Sequence, residues 1–217
     1  RAKIEQSPMG AYQWMIVVMA AIMNLLDGFD VLALAFTATA IRGEFGLTGI
    51  ELGYLLSAGL FGMTAGSLFL APLADKIGRR PLLLMAVSLS AIGMLGSAFI
   101  SQYQWLGFWR VITGLGVGGI LVGTNVITSE YSSRKWRSFA ISVYAAGFGI
   151  GAVLGGMFAV MLQGEYGWRS VFLAGAILTG LLLMVLFIWL PESIDFLTSK
   201  QPKNAEVRLN LIAKRIG

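Results

Sequence analysis

Three ionisable side chains lie inside long apolar stretches of the sequence: Asp27, Asp30 and Arg110. Near the centre of a membrane-spanning helix each costs roughly 2.5–3.5 kcal/mol, so such residues usually share partners or have a function. Asp27 and Asp30 are three residues apart and therefore lie on neighbouring parts of one helix face. Two packed carboxylates raise one another's proton affinity and can hold one proton between them. The spacing predicts either a pair that binds protons or ligand, or a structural polar pair satisfied by neighbouring helices.

The arginine lies nearer to one end of its helix than the acids do. Arg110 is roughly 8 Å inside the outer end of its apolar stretch, whereas Asp30 is roughly 16 Å below Ile41. A direct ion pair therefore requires tilted helices, and a small anionic substrate that bridges the gap is an equally good interpretation. In a third interpretation, Arg110 extends to the outer surface. Gly28, between the two acids, leaves room for a close ligand or backbone.

Composition places these residues in a membrane protein. The chain has 217 residues, 57% of them apolar and only 12% charged, and its mean hydropathy is +0.77. Soluble domains carry about 25% charged residues. The sequence contains no Cys and no His, which excludes thiol and imidazole catalysis and argues against a zinc site. We therefore expect no enzyme, no metal and no cofactor.

Six stretches are long and apolar enough to cross a bilayer, which takes about 20 residues. The predicted fold is all-α: an integral membrane six-helix bundle. The first stretch is too long for a signal peptide. The predicted spans are residues 14–36, 52–73, 81–100, 105–128, 139–162 and 168–190.

The distribution of basic residues predicts the orientation. Every Lys and Arg other than Arg42, Arg110 and Arg169 falls on the side of the bundle that holds both ends of the chain. By the positive-inside rule that side is cytoplasmic. Residues 191–217 are then the start of a cytoplasmic loop. Apolar residues recur among basic ones from Asn204 to Gly217, which predicts a short amphipathic helix on the membrane surface.

Glycines at four-residue steps mark the fifth stretch, at Gly147, Gly151 and Gly155. Small residues let membrane helices approach closely, so ordinary close packing explains this spacing. Glycine-lined contacts also suit helices that slide or rock during transport. The spacing is compatible with both interpretations.

The segment Leu-Ala-Asp-Lys-Ile-Gly-Arg-Arg-Pro at 73–81 joins the second and third stretches. Gly78 suits a tight turn, Arg79 and Arg80 hold the segment on the basic side, and Asp75 can accept hydrogen bonds. The segment resembles the signature loop of the major facilitator superfamily, although Ala71 stands where that family usually has glycine.

Four further segments extend the resemblance over essentially the whole chain. Residues 110–116 resemble the superfamily's arginine motif, and residues 147–156 resemble its antiporter glycine motif with Ala152 in place of proline. Leu-Asp-Gly-Phe-Asp at 26–30 resembles a motif of the aromatic acid:proton symporters, and residues 190–197 are similar to their central cytoplasmic segment.

The resemblance implies the N-terminal half of a transporter with two six-helix halves, in a bacterial inner membrane. Its expected partners are protons, a small anionic organic substrate, the lipid bilayer and the C-terminal half, and not nucleic acid. Asp27, Asp30 and Arg110 are then the substrate- and proton-binding residues. The implied cytoplasmic gate consists of Asp75, Gly78, Arg79, Arg80 and Glu130. Two alternatives stay open: a porter of sugars or other metabolites in the same superfamily, and a membrane scaffold that transports nothing.

Overall fold

A computed structural model describes residues 9–202 and 205–216, which fold almost entirely into helices. Within these residues eight α-helices follow one another and no strand occurs. Arg1, Lys3 and Lys203, which contribute to the predicted charge bias, lie outside the described residues. The helices are α1 Ala11–Phe45, α2 Gly49–Ile77, α3 Arg79–Ala98, α4 Tyr103–Tyr131, α5 Arg137–Tyr166, α6 Arg169–Trp189, α7 Ile194–Lys200 and α8 Ala205–Ile216.

In the described part of the chain six helices, α1 to α6, are long and apolar enough to cross a membrane. The predicted all-α six-helix bundle is therefore confirmed. Four of the helices continue past the apolar stretches: α1 has 35 residues, α2 and α4 have 29 each, and α5 has 30. The backbone ladder of hydrogen bonds continues into the polar residues at the ends because each added residue closes another bond.

The helix pair α1 and α5 is packed through glycines. A Cβ atom on Gly28 would meet the carbonyl oxygen of Phe148, and one on Gly151 would meet the carbonyl oxygen of Leu25. Gly28 thus makes room for a neighbouring backbone, one of the two uses that the sequence predicted. Without side chains in the way, the two helices approach closely enough for backbone to contact backbone.

The pair α2 and α4 repeats this arrangement. A Cβ on Gly62 of α2 would meet the carbonyl oxygen of Val111, and one on Gly118 of α4 would meet that of Met63. The α1–α5 and α2–α4 contacts are the most extensive in the bundle. They are equivalent if the last three helices repeat the first three, in the same order but with inverted orientation, as in many transporter folds.

Ion pairs and hydrogen bonds tie the helix ends together at the end of the bundle opposite the chain termini. Glu44 at the end of α1 accepts hydrogen bonds from Trp168 Nε1 at 2.7 Å and from Arg169 Nη2 at 2.7 Å. Arg169 also donates to the carbonyl oxygen of Ile100, which follows α3. We call the end of the bundle that carries Glu44 and Arg169 the opposite end. The other end, which carries residues 78, 132–136 and 190–202, is called the basic end.

Two short helices, α7 and α8, cover part of the basic end. The sequence predicted one helix after the last span, and α8 lies within its predicted bounds. α7 was not predicted, and it begins where the Ser193 hydroxyl accepts a hydrogen bond from the Phe196 amide at 3.1 Å. Ala205 and Ile212 of α8 are buried in the apolar core of the bundle. α8 is thus packed against the six-helix bundle.

Candidate functional site

The apolar core of the bundle is divided into two clusters. The cluster toward the basic end includes Leu26, Val87 and Leu182, and the cluster toward the opposite end includes Phe29 and Met94. Buried polar side chains lie next to these apolar clusters, on the inward faces of α1, α3, α4 and α6. We call this set the polar layer; its members are Asp27, Asp30, Ser90, Ser97, Arg110, Thr113 and Thr179.

Asp30 is enclosed in the polar layer, with 1% of its surface exposed. Its Oδ2 accepts a hydrogen bond from the Ser90 hydroxyl of α3 at 2.6 Å. Its Oδ1 is buried and makes no hydrogen bond to any described residue. A Cβ on Gly175 of α6 would come within 3.3 Å of that Oδ1. The carboxylate therefore lies among three helices, with one oxygen unsatisfied.

Arg110 is turned into the bundle and has 3% of its surface exposed, so the outer-surface interpretation is wrong. Its Nη1 donates to the backbone carbonyl oxygen of Asp30 at 3.3 Å, and its Nη2 donates to Ser97 Oγ at 2.9 Å and to Thr113 Oγ1 at 3.1 Å. The guanidinium also lies 4.8 Å from the ring centroid of Phe172. The long side chain crosses the difference in depth that the sequence indicated.

No described hydrogen bond joins the Arg110 guanidinium to the Asp30 carboxylate; the contact is with the backbone carbonyl of Asp30. Arg110 Nε is buried and has no hydrogen-bond partner among the described residues. A cation and an anion thus lie in one buried layer, each with unused hydrogen-bonding capacity. Such an arrangement favours an additional anionic or protonatable partner.

Asp27 is buried to the same degree as Asp30, with 1% exposed, but it has other neighbours. One turn before it, Asn24 donates a hydrogen bond to the backbone oxygen of Tyr144 of α5, whereas Asp30 itself bonds to Ser90 of α3. Asp27 Oδ2 makes no hydrogen bond to a described residue. The sequence placed the two acids on one helix face. Both acids lie on α1, but their environments differ. The Asp30 carboxylate accepts a hydrogen bond from α3, whereas Asp27 lies one turn after the hydrogen bond from Asn24 to α5.

A small recess reaches the polar layer between α1, α2 and α4. Asp30, Arg110 and Thr113 supply its polar lining, and apolar residues including Leu34 and Met63 supply the rest. The cavity volume that water can occupy there is about 30 Å³. Apolar walls with a few convergent polar groups are typical of sites for small molecules.

At the basic end, Asp75 and Arg79 contact each other as the sequence analysis implied. Arg79 Nη2 donates to Asp75 Oδ1 at 2.5 Å. Gly78 alone separates α2 from α3 and has a φ of 101°, in the left-handed region that favours glycine. The predicted tight turn is therefore a single residue. Arg80 Nη2 donates to the carbonyl oxygen of Phe187 at 2.6 Å.

A carboxylate that the sequence analysis did not single out holds this turn. Glu192, 6% exposed, accepts hydrogen bonds at Oε1 from the backbone amides of Arg79 at 2.7 Å and Arg80 at 3.0 Å. A Cβ on Gly78 would come within 2.6 Å of Glu192 Oε2. A carboxylate at a helix N-terminus satisfies free amides and interacts favourably with the helix dipole.

Glu130 lies at the C-terminal end of α4, and its described hydrogen bonds go to the start of α7. It accepts from the Ser193 hydroxyl at 2.8 Å and from the Ile194 amide at 2.7 Å. Among the described contacts, none joins Glu130 directly to Asp75 or Arg79. Two carboxylates, Glu130 and Glu192, thus anchor the segment that follows α6.

Several polar partners were not found from sequence: Ser90, Ser97, Tyr144 and Glu192. Serine and tyrosine are common in membrane helices and carry no charge, so their positions gave no signal. The Pro-Glu-Ser segment at 191–193 was recognised as a motif, but its contact with the α3 N-terminus joins distant parts of the chain.

Six membrane-type helices around a buried polar layer define a polytopic α-helical membrane protein. The sequence pattern of the Major Facilitator Superfamily matches residues 20–213, and the chain belongs to that superfamily. This confirms the resemblance drawn from residues 73–81 and the accompanying motifs.

Curated relatives extend the comparison. The chain is 36% identical over 204 residues to a gallate transporter of Pseudomonas putida, covering 94% of this chain and 45% of that protein. It is 35% identical over 208 residues to the 4-hydroxybenzoate transporter PcaK of Pseudomonas putida, covering 96% and 46% respectively. The chain thus spans slightly less than half of the length of these relatives.

Solved structures share the fold. The xylose transporter XylE from E. coli, in a partially occluded inward-open conformation, superposes with a TM-score of 0.82 at 22% identity, covering 94% of this chain and 56% of that one. A bacterial homologue of the lysosomal transporter Spinster gives a TM-score of 0.76 at 20% identity, covering 86% and 44%. The chain has the fold of one half of such proteins.

Proposed function

We propose that the chain is the N-terminal half of a secondary transporter that takes up small aromatic carboxylates together with protons by alternating access. The observation that carries the proposal is the buried polar layer, in which two carboxylates and a guanidinium lie between apolar clusters with unsatisfied atoms. The names of the relatives, gallate transporter and 4-hydroxybenzoate transporter, supply the substrate class.

In this proposal Arg110 attracts the carboxylate of the substrate. Its Nε has no described partner, and it lines the recess together with Asp30. An arginine recognises carboxylates through two parallel hydrogen bonds. When substrate binds, Arg110 would give up its hydrogen bonds to Asp30 and Ser97 and form bonds to the substrate carboxylate. Because those hydrogen bonds join α1, α3 and α4, substrate binding would change how these helices pack.

Asp27 and Asp30 hold the coupling proton. An ionised carboxylate that is buried without a compensating partner is costly, and binding of a proton relieves that cost. When the site opens to water on the other side of the membrane, the cost disappears and the proton can leave. Both acids have an oxygen in this condition, Asp27 Oδ2 and Asp30 Oδ1.

The residues at the basic end form the conformational lock. Asp75 and Arg79 join across the Gly78 turn, Arg80 fixes the end of α6, and Glu130 fixes the start of α7. These contacts hold the helix ends together while the opposite side is open. The segment after α6 and the α2–α3 turn then move as one unit.

The rest of the transporter lies outside this chain. A second six-helix half packs against this one, the basic end faces the cytoplasm, and the bilayer is a bacterial inner membrane. The positive-inside distribution of Lys and Arg supports the orientation, and the bacterial relatives support the membrane.

The test uses full-length protein in proteoliposomes with an outward-acidic pH gradient. Radiolabelled 4-hydroxybenzoate and gallate should accumulate against their concentration gradients, and D-xylose should not. Asp27→Asn and Asp30→Asn keep the size of the side chain but cannot titrate, so both should nearly abolish gradient-driven accumulation. Glu165→Gln, which changes an exposed carboxylate at the end of α5, is the matched control.

If Asp27→Asn and Asp30→Asn both accumulate aromatic acid with wild-type pH dependence, neither carboxylate carries the proton and the coupling mechanism is wrong. If no aromatic acid accumulates in wild-type vesicles while D-xylose does, the substrate class is wrong.

A further inference from the structure

The aromatic ring of Phe172 on α6 packs against the guanidinium of Arg110. The central guanidinium carbon, Cζ, lies over the ring at 4.8 Å from its centroid. The face of an aromatic ring carries negative charge density and attracts a cation, more strongly where water is excluded. Phe172 is fully buried, with 0% of its surface exposed. The contact therefore lies in the environment where such an attraction is largest.

Other contacts restrain the Phe172 ring from the opposite end of the bundle. Trp168, four residues earlier in the chain, packs edge-on against it with the ring centroids 5.7 Å apart. Trp168 also packs against Phe45, with the centroids 6.2 Å apart, and donates from Nε1 to Glu44 at 2.7 Å. These contacts join the end of α1 to the start of α6, so the ring that faces Arg110 has a fixed support.

The contact with the ring leaves hydrogen-bond donors of Arg110 available. An aromatic ring attracts the cation through its charge distribution and offers no oxygen acceptor. A guanidinium has five N–H donors, and Arg110 Nε makes no hydrogen bond to a described residue. A carboxylate can accept two parallel hydrogen bonds from such a group. Phe172 can therefore hold the cation in place without competing with an anionic ligand for its N–H groups.

A competing partner for this cation lies in the same polar layer. Arg110 donates to the backbone oxygen of Asp30 at 3.3 Å, while the carboxylate oxygen Oδ1 of Asp30 is buried without a described hydrogen-bond partner. A Cβ on Gly175, three residues after Phe172 on α6, would come within 3.3 Å of that Oδ1. Direct pairing of the guanidinium with the carboxylate would neutralise the cation. Attraction to Phe172 opposes that pairing.

We propose that Phe172 is a positioning residue for substrate binding, whose ring holds the Arg110 guanidinium off the Asp30 carboxylate and within reach of the recess. The inference rests on the proposed function, in which Arg110 binds the substrate carboxylate. Phe172 lies outside the described lining of the recess, so it acts through Arg110. Apparent affinity falls with the fraction of molecules that hold the binding-competent arrangement. Loss of the ring should therefore weaken substrate binding.

The experiment replaces Phe172 in the full-length protein by mono-, di- and trifluorinated phenylalanine. Fluorine withdraws electron density from the ring and changes its size little, so the series weakens a cation–π contact in steps. Uptake of radiolabelled 4-hydroxybenzoate into proteoliposomes is measured at several substrate concentrations under an outward-acidic pH gradient. KM should rise in steps and reach about three- to thirtyfold above wild type. The maximal rate should stay near the wild-type value, because saturating substrate fills the site.

The matched control carries the same fluorinated residues at Phe36. The ring of Phe36 packs against Gly156 of α5 and makes no cation–π contact in the described part of the chain, so KM should not change. Phe172→Leu keeps an apolar side chain without a ring and should raise KM as much as the trifluorinated residue does. If Phe172→Leu does not fold, the fluorinated series still decides, because its rings keep the shape of phenylalanine.

A KM that stays at the wild-type value through the Phe172 series would overturn the positioning role. An equal rise in KM for the Phe36 series, or a lower maximal rate with unchanged KM, would overturn it too, because each indicates an effect on packing.

Arg110→Gln separates this inference from the proposed function. If Arg110→Gln abolishes uptake while the Phe172 series leaves KM unchanged, the proposed function stands and Phe172 has no positioning role. If Arg110→Gln keeps the wild-type KM, Arg110 does not bind the substrate. The proposed binding site is then wrong, whatever the Phe172 series does.

Discussion

Removal of the Glu192 carboxylate should destabilise the basic end. Its Oε1 accepts three backbone hydrogen bonds, from Arg79 at 2.7 Å, from Arg80 at 3.0 Å and from Ser193 at 2.9 Å. A hydrogen bond to a charged group contributes about 1.5–3 kcal/mol, and three to one atom are not additive. Because water can reach part of this end, we expect Glu192→Ala to lower the free energy of unfolding by about 2–4 kcal/mol.

Glu192→Gln keeps an acceptor oxygen but loses the charge, so its expected cost is about 1 kcal/mol. The measurement is thermal unfolding of the purified full-length protein in detergent, followed by tryptophan fluorescence. Glu192→Ala should lower Tm on the order of 5 °C, Glu192→Gln should lower it less, and the exposed-site control Glu165→Gln should leave it unchanged.

Equal Tm values for Glu192→Ala and Glu165→Gln would refute the reasoning, because they would mean that solvent replaces the carboxylate at no cost. A fall in Tm for Glu192→Gln as large as that for Glu192→Ala would show that charge rather than hydrogen bonding holds the α3 N-terminus.

Two further predictions concern packing and orientation. Gly151→Ala should destabilise the full-length protein by about 1–3 kcal/mol, because its Cβ would meet the Leu25 backbone. The control Gly149→Ala has open space around it and should be neutral. Equal unfolding temperatures for the two variants would contradict the close packing of α1 against α5. The 217 residues contain no natural Cys, so single cysteines can be introduced at the exposed positions Lys135 and Gln102. A membrane-impermeant reagent should label the cysteine at 135 from the cytoplasmic side and the cysteine at 102 from the external side. The reverse labelling would overturn the orientation.

The six-helix fold follows from sequence because the bilayer allows few alternatives. In hydrocarbon every backbone polar group needs an internal partner, so a long apolar stretch is a helix. The helix ends were less predictable. α1 continues to Phe45 through Arg42 and Glu44, since the hydrogen-bond ladder depends on backbone geometry and hydropathy reports only the side chains.

The polar layer was predictable in part for a similar reason. Asp27, Asp30 and Arg110 stand out because charge is costly inside a span. Their partners do not: Ser90 is 60 residues from Asp30 in sequence, and an uncharged serine carries no such cost. Which oxygen is satisfied and which is left over depends on how the helices pack.

The basic end illustrates the same limit. The sequence singled out Asp75, Arg79 and Glu130 from a family resemblance, and the Asp75–Arg79 contact joins residues only four apart in the sequence. Glu130 instead contacts Ser193, 63 residues away, and Glu192 contacts Arg79, 113 residues away. Contacts over such separations depend on the packed fold and have no local pattern.

The Glu192 contact also determines when the basic end can form its hydrogen bonds as the chain is synthesised. The amides at the start of α3 find their carboxylate 113 residues later in the chain. At about 5–20 residues per second, that interval lasts on the order of ten seconds. During this time α2 is already synthesised and α3 is completed, but the turn between them lacks its acceptor. The basic end therefore closes last, and a chain that stops before residue 192 leaves α3 with free N-terminal amides.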